Sequence, residues 1–278
     1  MPQQRTLLHA APAWKIERVL KHASPVQWSP PYAAASGRWV LPLNGVSEFQ
    51  MAGQVVLLDG LTALGLPQGL AYRMKPLQPT EQSSIVVSEQ EGRPVPLACQ
   101  NPSLQVRTFT PRALWRLRMH WRALADGRPM PGWRTASDVL QTGLEPGAAA
   151  QDCAVIRGAS GRALPLLVHA RRFMAQRVAA ADGEPWSLHD VADAAGCSAF
   201  HLAHLFRRHL GLGLHGYRQS LRMAATLQRL DAGESDLAAL AHDLGYSSQS
   251  HLGSVFRREV GVTLAQARSV LQGHSAGI

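Results

Sequence analysis

The chain has 278 residues, 46% of them hydrophobic, so it can build packed cores in one large or two ordinary domains. Lys and Arg outnumber Asp and Glu by 28 to 19, and a net charge of +9 favours a polyanionic partner. No apolar run approaches the ~18 residues of a membrane span, and the start MPQQRTLLH has no secretory pattern, so a cytoplasmic protein is expected.

Residues 1–110 read as strand-rich. Short apolar runs beginning at Trp39, Glu48, Gln54, Ser84 and Leu104 are punctuated by Pro42, Gly45, Gly53, Gly60, Pro67, Gly69, Pro76 and Pro79. That spacing suits an antiparallel barrel or sandwich. A metal-dependent barrel enzyme would need three or four converging donors. This region offers only His9 and His22, so no metal and no cofactor are expected. An apolar pocket lined by Trp39, Phe49 and Tyr72 fits better, although the same aromatics could simply fill the barrel.

A helix is predicted over 111–125. Thr110 caps it, and Pro111 sits at the first helical position, where its missing N–H costs nothing. Leu114, Leu117, Trp121 and Leu124 recur as a coiled-coil-like seam, with Arg112, Arg116, Arg118 and Arg122 on much of the other surface; such a seam either packs on the chain's own barrel or pairs with a second copy. Gly127, Pro129 and Pro131 end it. A short helix is expected near 137–144, then a linker beginning EPGAAAQ at Glu145. Cys99, Cys153 and Cys197 are too few and too scattered for a disulfide framework or a zinc site.

Residues 161–278 read as helical. A helix over 164–181 carries Leu167, Val168, Phe173 and Met174 and closes at Asp182-Gly183. An internal repeat follows. The first copy reads LHDVADAAGCS from Leu188 and LAHLFRRHLG from Leu202; the second reads LAALAHDLGYS from Leu237 and LGSVFRREVG from Leu252. The offset is 49 up to the glycine turn and 50 beyond it, one residue having been added after the second turn. Repeats of this size mark a duplicated unit. Each copy reads as helix, turn, helix. Ser187 and Asp190 form a capping box, Gly196 supplies the turn, and Ser198 caps the second helix. Leu202, Leu205, Phe206 and His209 are predicted to face inward. A helix over about 214–230, with Tyr217, Leu221, Ala224 and Leu227 inward, joins the copies; Ser235 caps the next.

A short helix, a glycine turn and a helix with a small or polar outer face is how a recognition helix enters the major groove. The base-facing positions are Ala199, Phe200, Ala203 and His204 in the first copy, and Gln249, Ser250, Gly253 and Ser254 in the second. Gln249 can pair with adenine, and Phe200 and Ala203 can meet thymine methyls. Arg207, Arg208, Arg257 and Arg258 close the helices and are assigned to phosphates. Arg222 could add a phosphate contact or an internal ion pair. The second helix has no cation in its middle, so the first copy should discriminate sequence more. Charge alone does not single out this region, since residues 1–160 carry 16 Lys and Arg against 10 Asp and Glu, and 161–278 only 12 against 9.

The run AHDLGYSSQSHLGSVFRREVGVTLAQAR from Ala241 to Arg268 resembles the tandem helix-turn-helix domain of the AraC/XylS transcription regulators. Two departures stand out: Leu264 occupies a usual proline position and Ala267 a usual aromatic one. The resemblance implies an α+β chain: a cupin-like sensing and dimerisation domain with its linker over 1–160, and a DNA-binding domain over 161–278. It also implies a small-molecule effector, a homodimer paired through the helix after the barrel, promoter DNA and possible contact with RNA polymerase. Two alternatives stay open: a regulator whose N-terminal domain only dimerises or binds protein, and a cupin enzyme fused to a DNA-binding module. No catalytic residue is assigned.

Overall fold

The computed structural model describes residues 3–12, 14–90, 105–127, 163–180 and 183–273. The helix expected near 137–144, the linker, Cys99, Cys153 and Asp182 lie outside these. The chain divides into two compact units. One holds Met1–Phe109 and Ala123–Arg157, the other Thr110–Arg122 and Gly158–Ile278.

The first unit is built from β1 (Gln3–Ala11), β2 (Trp14–Lys21), β3 (Tyr32–Ala33), β4 (Arg38–Asn44), β5 (Ser47–Met51), β6 (Gln54–Leu58), β7 (Thr62–Leu66), β8 (Ala71–Pro76), β9 (Gln82–Glu89) and β10 (Gln105–Thr108). Six strands pair in the order β1-β2-β9-β4-β7-β10 and four in the order β3-β8-β5-β6. Every pairing is antiparallel. Turns fall at Gly45, Gly53 and Gly69, all at positive φ, as the punctuation predicts: Gly53 closes the β5–β6 hairpin, and Gly45 and Gly69 lie where the chain passes from one sheet to the other. β1 and β2 lie outside the apolar runs picked out by glycine and proline, since no glycine stands between them.

Register decides which residues meet inside. Val40 stands opposite both Leu64 and Val86, and Leu64 opposite Val106. Cross-strand partners share a face. With Phe49, Met51, Val56, Leu58 and Met74 of the smaller sheet, Leu64 and Val106 form the inner core, and Val40 and Tyr72 pack against it. Trp39, next to Val40, therefore points to the opposite face, where the Arg107 guanidinium lies 4.9 Å over its ring.

The second unit contains α1 (Pro111–Ala125), α2 (Ala163–Ala180), α3 (Leu188–Ala195), α4 (Ala199–Leu210), α5 (Leu214–Asp231), α6 (Leu237–Asp243), α7 (Gln249–Val260) and α8 (Leu264–Leu271), with α1 assigned to it as far as Arg122. The expected division fell at residue 160; Thr110–Arg122, most of α1, groups with the helical residues. Arg118 and Arg122 of α1 hold the Asp231 carboxylate at the end of α5, at 2.8 and 3.3 Å. Leu117, Trp121 and Leu124 are buried in the single chain and Leu114 is half-buried, so the expected dimer seam is not an open face. Ala113 N donates to Thr110 Oγ1, as the capping prediction requires.

Helix α5 packs against α4, α7 and α8, and α2 against α3, α4 and α5. The repeat is visible bond by bond. Cys197 N donates to Ala192 O, and Tyr246 N to Ala241 O. Gly196 N donates to Asp193 O, and Gly245 N to His242 O. Arg218 reaches back to Trp186 O at 3.0 Å, and Arg268 to Ser235 O at 3.3 Å. Each copy is thus closed by an arginine from the helix that follows its outer helix. The duplication runs further than the two helices, through Gly213 and Thr263, which cap α5 and α8. Ser187 and Ser198 cap as predicted. The cap of α6 is Asp236, not Ser235: its carboxylate accepts from Ala238 N and Ala239 N.

Candidate nucleic-acid interface

The outer faces of α4 and α7 are set by the residues that cannot be outside. Leu202, Leu205, Phe206 and Leu210 are buried in α4, and Leu252, Val255, Phe256 and Val260 in α7. Residue by residue, 201–210 and 251–260 share one order of burial. His209 is half-buried and Leu210 takes the inner place assigned to it, because the apolar residue buries more surface without a polar cost. Burial, then the Arg208 and His204 charges, lowers the His209 imidazole pKa.

What remains outward in α4 is Phe200, His201, His204, Arg207 and Arg208. Phe200 is 87% exposed, an unusual setting for so large an apolar side chain. In α7 the outward set is Gln249, Ser250, His251, Ser254, Arg257 and Arg258. Ala199, Ala203 and Gly253 are half-buried. At Gly253 a Cβ would stand 3.7 Å from Leu264, so this position turns toward α8 and flanks the outer face rather than centring it.

Two residues on these faces were not among the sequence-derived contacts. His201 and His251 lie on the same turn as Phe200 and Ser250 and are exposed. The shared offset of 50 between them was the available signal. Ser247, the residue added in the second copy, hydrogen-bonds His251 Nδ1 at 3.0 Å, and the Tyr246 ring meets the imidazole edge-on at 5.4 Å. The second outer face therefore has a histidine held by a side-chain hydrogen bond and a ring contact, and the first has an exposed histidine at the same place.

The terminal arginines differ. Arg258 holds Glu259 at 2.9 Å. Arg207, Arg208 and Arg257 have no carboxylate partner among the described residues, so their charge is free to meet an anion. Arg222, read as a phosphate contact or an internal ion pair, has no carboxylate partner among the described residues. Its guanidinium lies 5.3 Å over the Tyr246 ring and fills the space beside Gly245. Burial raises the Cys197 thiol pKa, away from reactive thiolate.

Residues 191–269 match the model of a helix-turn-helix domain. An AraC-like transcription regulator of Streptomyces antibioticus is 33% identical over 103 residues, 37% of this chain and 33% of its own length. A second, of Streptomyces lividans, is 35% identical over 77 residues, 28% of this chain and 25% of its own. Residues 191–269 are thus a helix-turn-helix domain, and the helical region is similar to that of AraC-like transcription regulators. This chain spans between a quarter and a third of the length of those relatives. Among solved structures, ToxT from Vibrio cholerae O395 aligns over 93% of this chain and 98% of its own, at 11% identity and a TM-score of 0.39. Leu264 and Ala267, the two departures from the family pattern, are both buried, at the start and middle of α8. They sit behind α7 and leave its outer face unchanged.

The three pocket residues expected of the strand-rich unit do not act together. Phe49 and Tyr72 stack at 5.8 Å, and Tyr72 meets Tyr32 at 5.8 Å. Trp39 is excluded by strand alternation. A cavity of about 30 Å³ opens beside Phe49, between Val40, Leu58, Met74 and Lys21. Among the described residues no group of three His, Cys, Asp or Glu could hold a metal ion, and no helix is long and apolar enough to cross a membrane.

Proposed function

We propose that this protein is a cytoplasmic transcription regulator that binds promoter DNA through α4 and α7 and answers to a small molecule held in its strand-rich unit. One observation carries the reading. Two helices with the same order of burial present polar, histidine- and arginine-bearing outer faces, and each copy is closed by the same arginine-to-carbonyl bond. A pair of reading helices braced on one connecting helix suits two successive major grooves, ~34 Å apart. Arg207, Arg208 and Arg257 would hold phosphates, and His204, Phe200 and Gln249 would meet base edges. The effector would shift the population of DNA-competent molecules rather than undergo chemistry. Pairing with a second copy, and any contact with RNA polymerase, would use surfaces other than the α1 seam.

Selection of random DNA fragments by the purified full chain tests this. A defined motif is expected, with His204→Ala relaxing specificity more than Gln249→Ala, by roughly 1–3 kcal/mol at the affected base. Recovery of unrelated sequences that all elute at the same salt would refute sequence-specific reading.

A further inference from the structure

The residue added in the second copy, Ser247, stands just before the cap of α7 and changes what that helix presents. His251 is the third residue of α7, in the first turn, where a recognition helix brings side chains to base edges. Three contacts hold it from within the chain. Its backbone N donates to Ser248 Oγ at 3.1 Å. Ser247 Oγ lies 3.0 Å from its Nδ1. The Tyr246 ring meets the imidazole edge-on, with centroids 5.4 Å apart. Tyr246 is itself buried and braced from α5. Gln219 Nε2 donates to its hydroxyl at 2.6 Å, and the Arg222 guanidinium covers its ring at 5.3 Å. His251 is nevertheless exposed. Its counterpart at the offset of 50, His201, shares the cap bond, at 3.2 Å to Ser198 Oγ. There Cys197 takes the place of Tyr246 and offers no ring, and the residue matching Ser247 is missing.

A neutral imidazole has one donor and one acceptor nitrogen, and the bond made by one nitrogen sets the role of the other. A Ser247 hydroxyl donating to Nδ1 leaves the hydrogen on Nε2, on the far side of the ring. In a protonated ring Nε2 carries a hydrogen as well. In both states the outward nitrogen is a donor and needs an acceptor. In the major groove guanine presents two adjacent acceptors, N7 and O6. Adenine sets an amino donor beside its N7, cytosine presents a donor, and thymine places a methyl beside its single O4. Holding the ring in advance also removes the entropy otherwise lost when a side chain is ordered on binding.

We propose that Ser247 holds His251 as the Nε2–H tautomer and that this donor reads the N7 of a guanine in the groove entered by α7. His251 is then a specificity-determining residue and Ser247 a positioning residue. The proposal rests on the reading of α7 as a DNA-reading helix and adds the side chain that discriminates and the base it meets. The test starts from the motif that the full chain selects from random DNA. In His251→Ala one guanine of that motif should lose its preference by roughly tenfold, the other positions staying as they were. Ser247→Ala should weaken the same preference by roughly threefold, and Ser247→Thr, which keeps a hydroxyl, should restore it. Putting 7-deazaguanine at that position should cost the unaltered chain affinity and cost His251→Ala nothing further. If Ser247 and His251 only stabilise α7, the variants will bind all sequences equally less well. That result, base preferences unmoved by His251→Ala, or a 7-deazaguanine penalty that is absent from the unaltered chain or survives in His251→Ala, would overturn the proposal and leave the regulator reading standing. A chain that selects no motif would overturn that reading and this inference with it.

Discussion

Gly196 and Gly245 occupy the same place in the two copies and have nearly the same backbone, φ +72 and +73. Alanine at either must adopt the left-handed region, at about 1–2 kcal/mol, partly offset by a less flexible unfolded chain. The surroundings separate them. Nothing lies within 4 Å of a Cβ at Gly196, but at Gly245 that atom would stand 2.6 Å from an Arg222 guanidinium nitrogen. Arg222 would have to leave the Tyr246 ring, losing a cation–π contact of about 0.5–2 kcal/mol. Gly245→Ala should therefore cost about 0.5–2 kcal/mol more than Gly196→Ala. Equilibrium urea unfolding followed by far-ultraviolet circular dichroism measures both, because the helices report the unit concerned. In an Arg222→Met background the excess should vanish. Equal costs for the two glycine variants, or an excess that survives in that background, would refute the assignment of Arg222 as a packing residue of the second turn.

Phe206 and Phe256 are fully buried counterparts, and alanine at either should cost about 3–5 kcal/mol in the same unfolding measurement; a cost below ~1 kcal/mol at one would show that its copy is not independently packed. Asp231→Ala should destabilise the helical unit by about 1–3 kcal/mol by removing the carboxylate shared by Arg118 and Arg122, and a fragment starting at residue 163 should unfold more easily than one starting at 110. Arg208→Ala should lower the slope of log affinity against log salt by about 1, and Arg258→Ala by less, since Glu259 already holds that guanidinium; equal slopes would count against the distinction. The Asp190 carboxyl is held below its ordinary 3.8 by the Ser187 backbone and side-chain bonds. Its contribution is present above about pH 4 and lost as pH falls through the folded value, so Asp190→Asn should flatten the acid limb of the stability curve; an unchanged limb would contradict it.

The duplicated reader was legible in the sequence because its determinants are local. Glycine turns, serine caps and apolar residues at helical spacing specify α3, α4, α6 and α7 without reference to distant segments. The copies then check one another through their offsets of 49 and 50. The outward faces followed from the same periodicity, except where a neighbouring element intruded: Gly253 turns toward Leu264, and Leu210 displaces His209. Three things required the assembled chain. Trp39 parts from Phe49 and Tyr72 because a strand alternates faces, and only the pairing of β4 with β7 and β9 says which face is inner. The α1 seam is occupied within the chain, which sequence spacing cannot distinguish from pairing with a second copy. Lys21 reads as an ordinary charged strand residue until the register places it at the cavity beside Phe49. Local pattern fixes elements and their amphipathic faces; what each face meets depends on contacts between residues far apart in the chain.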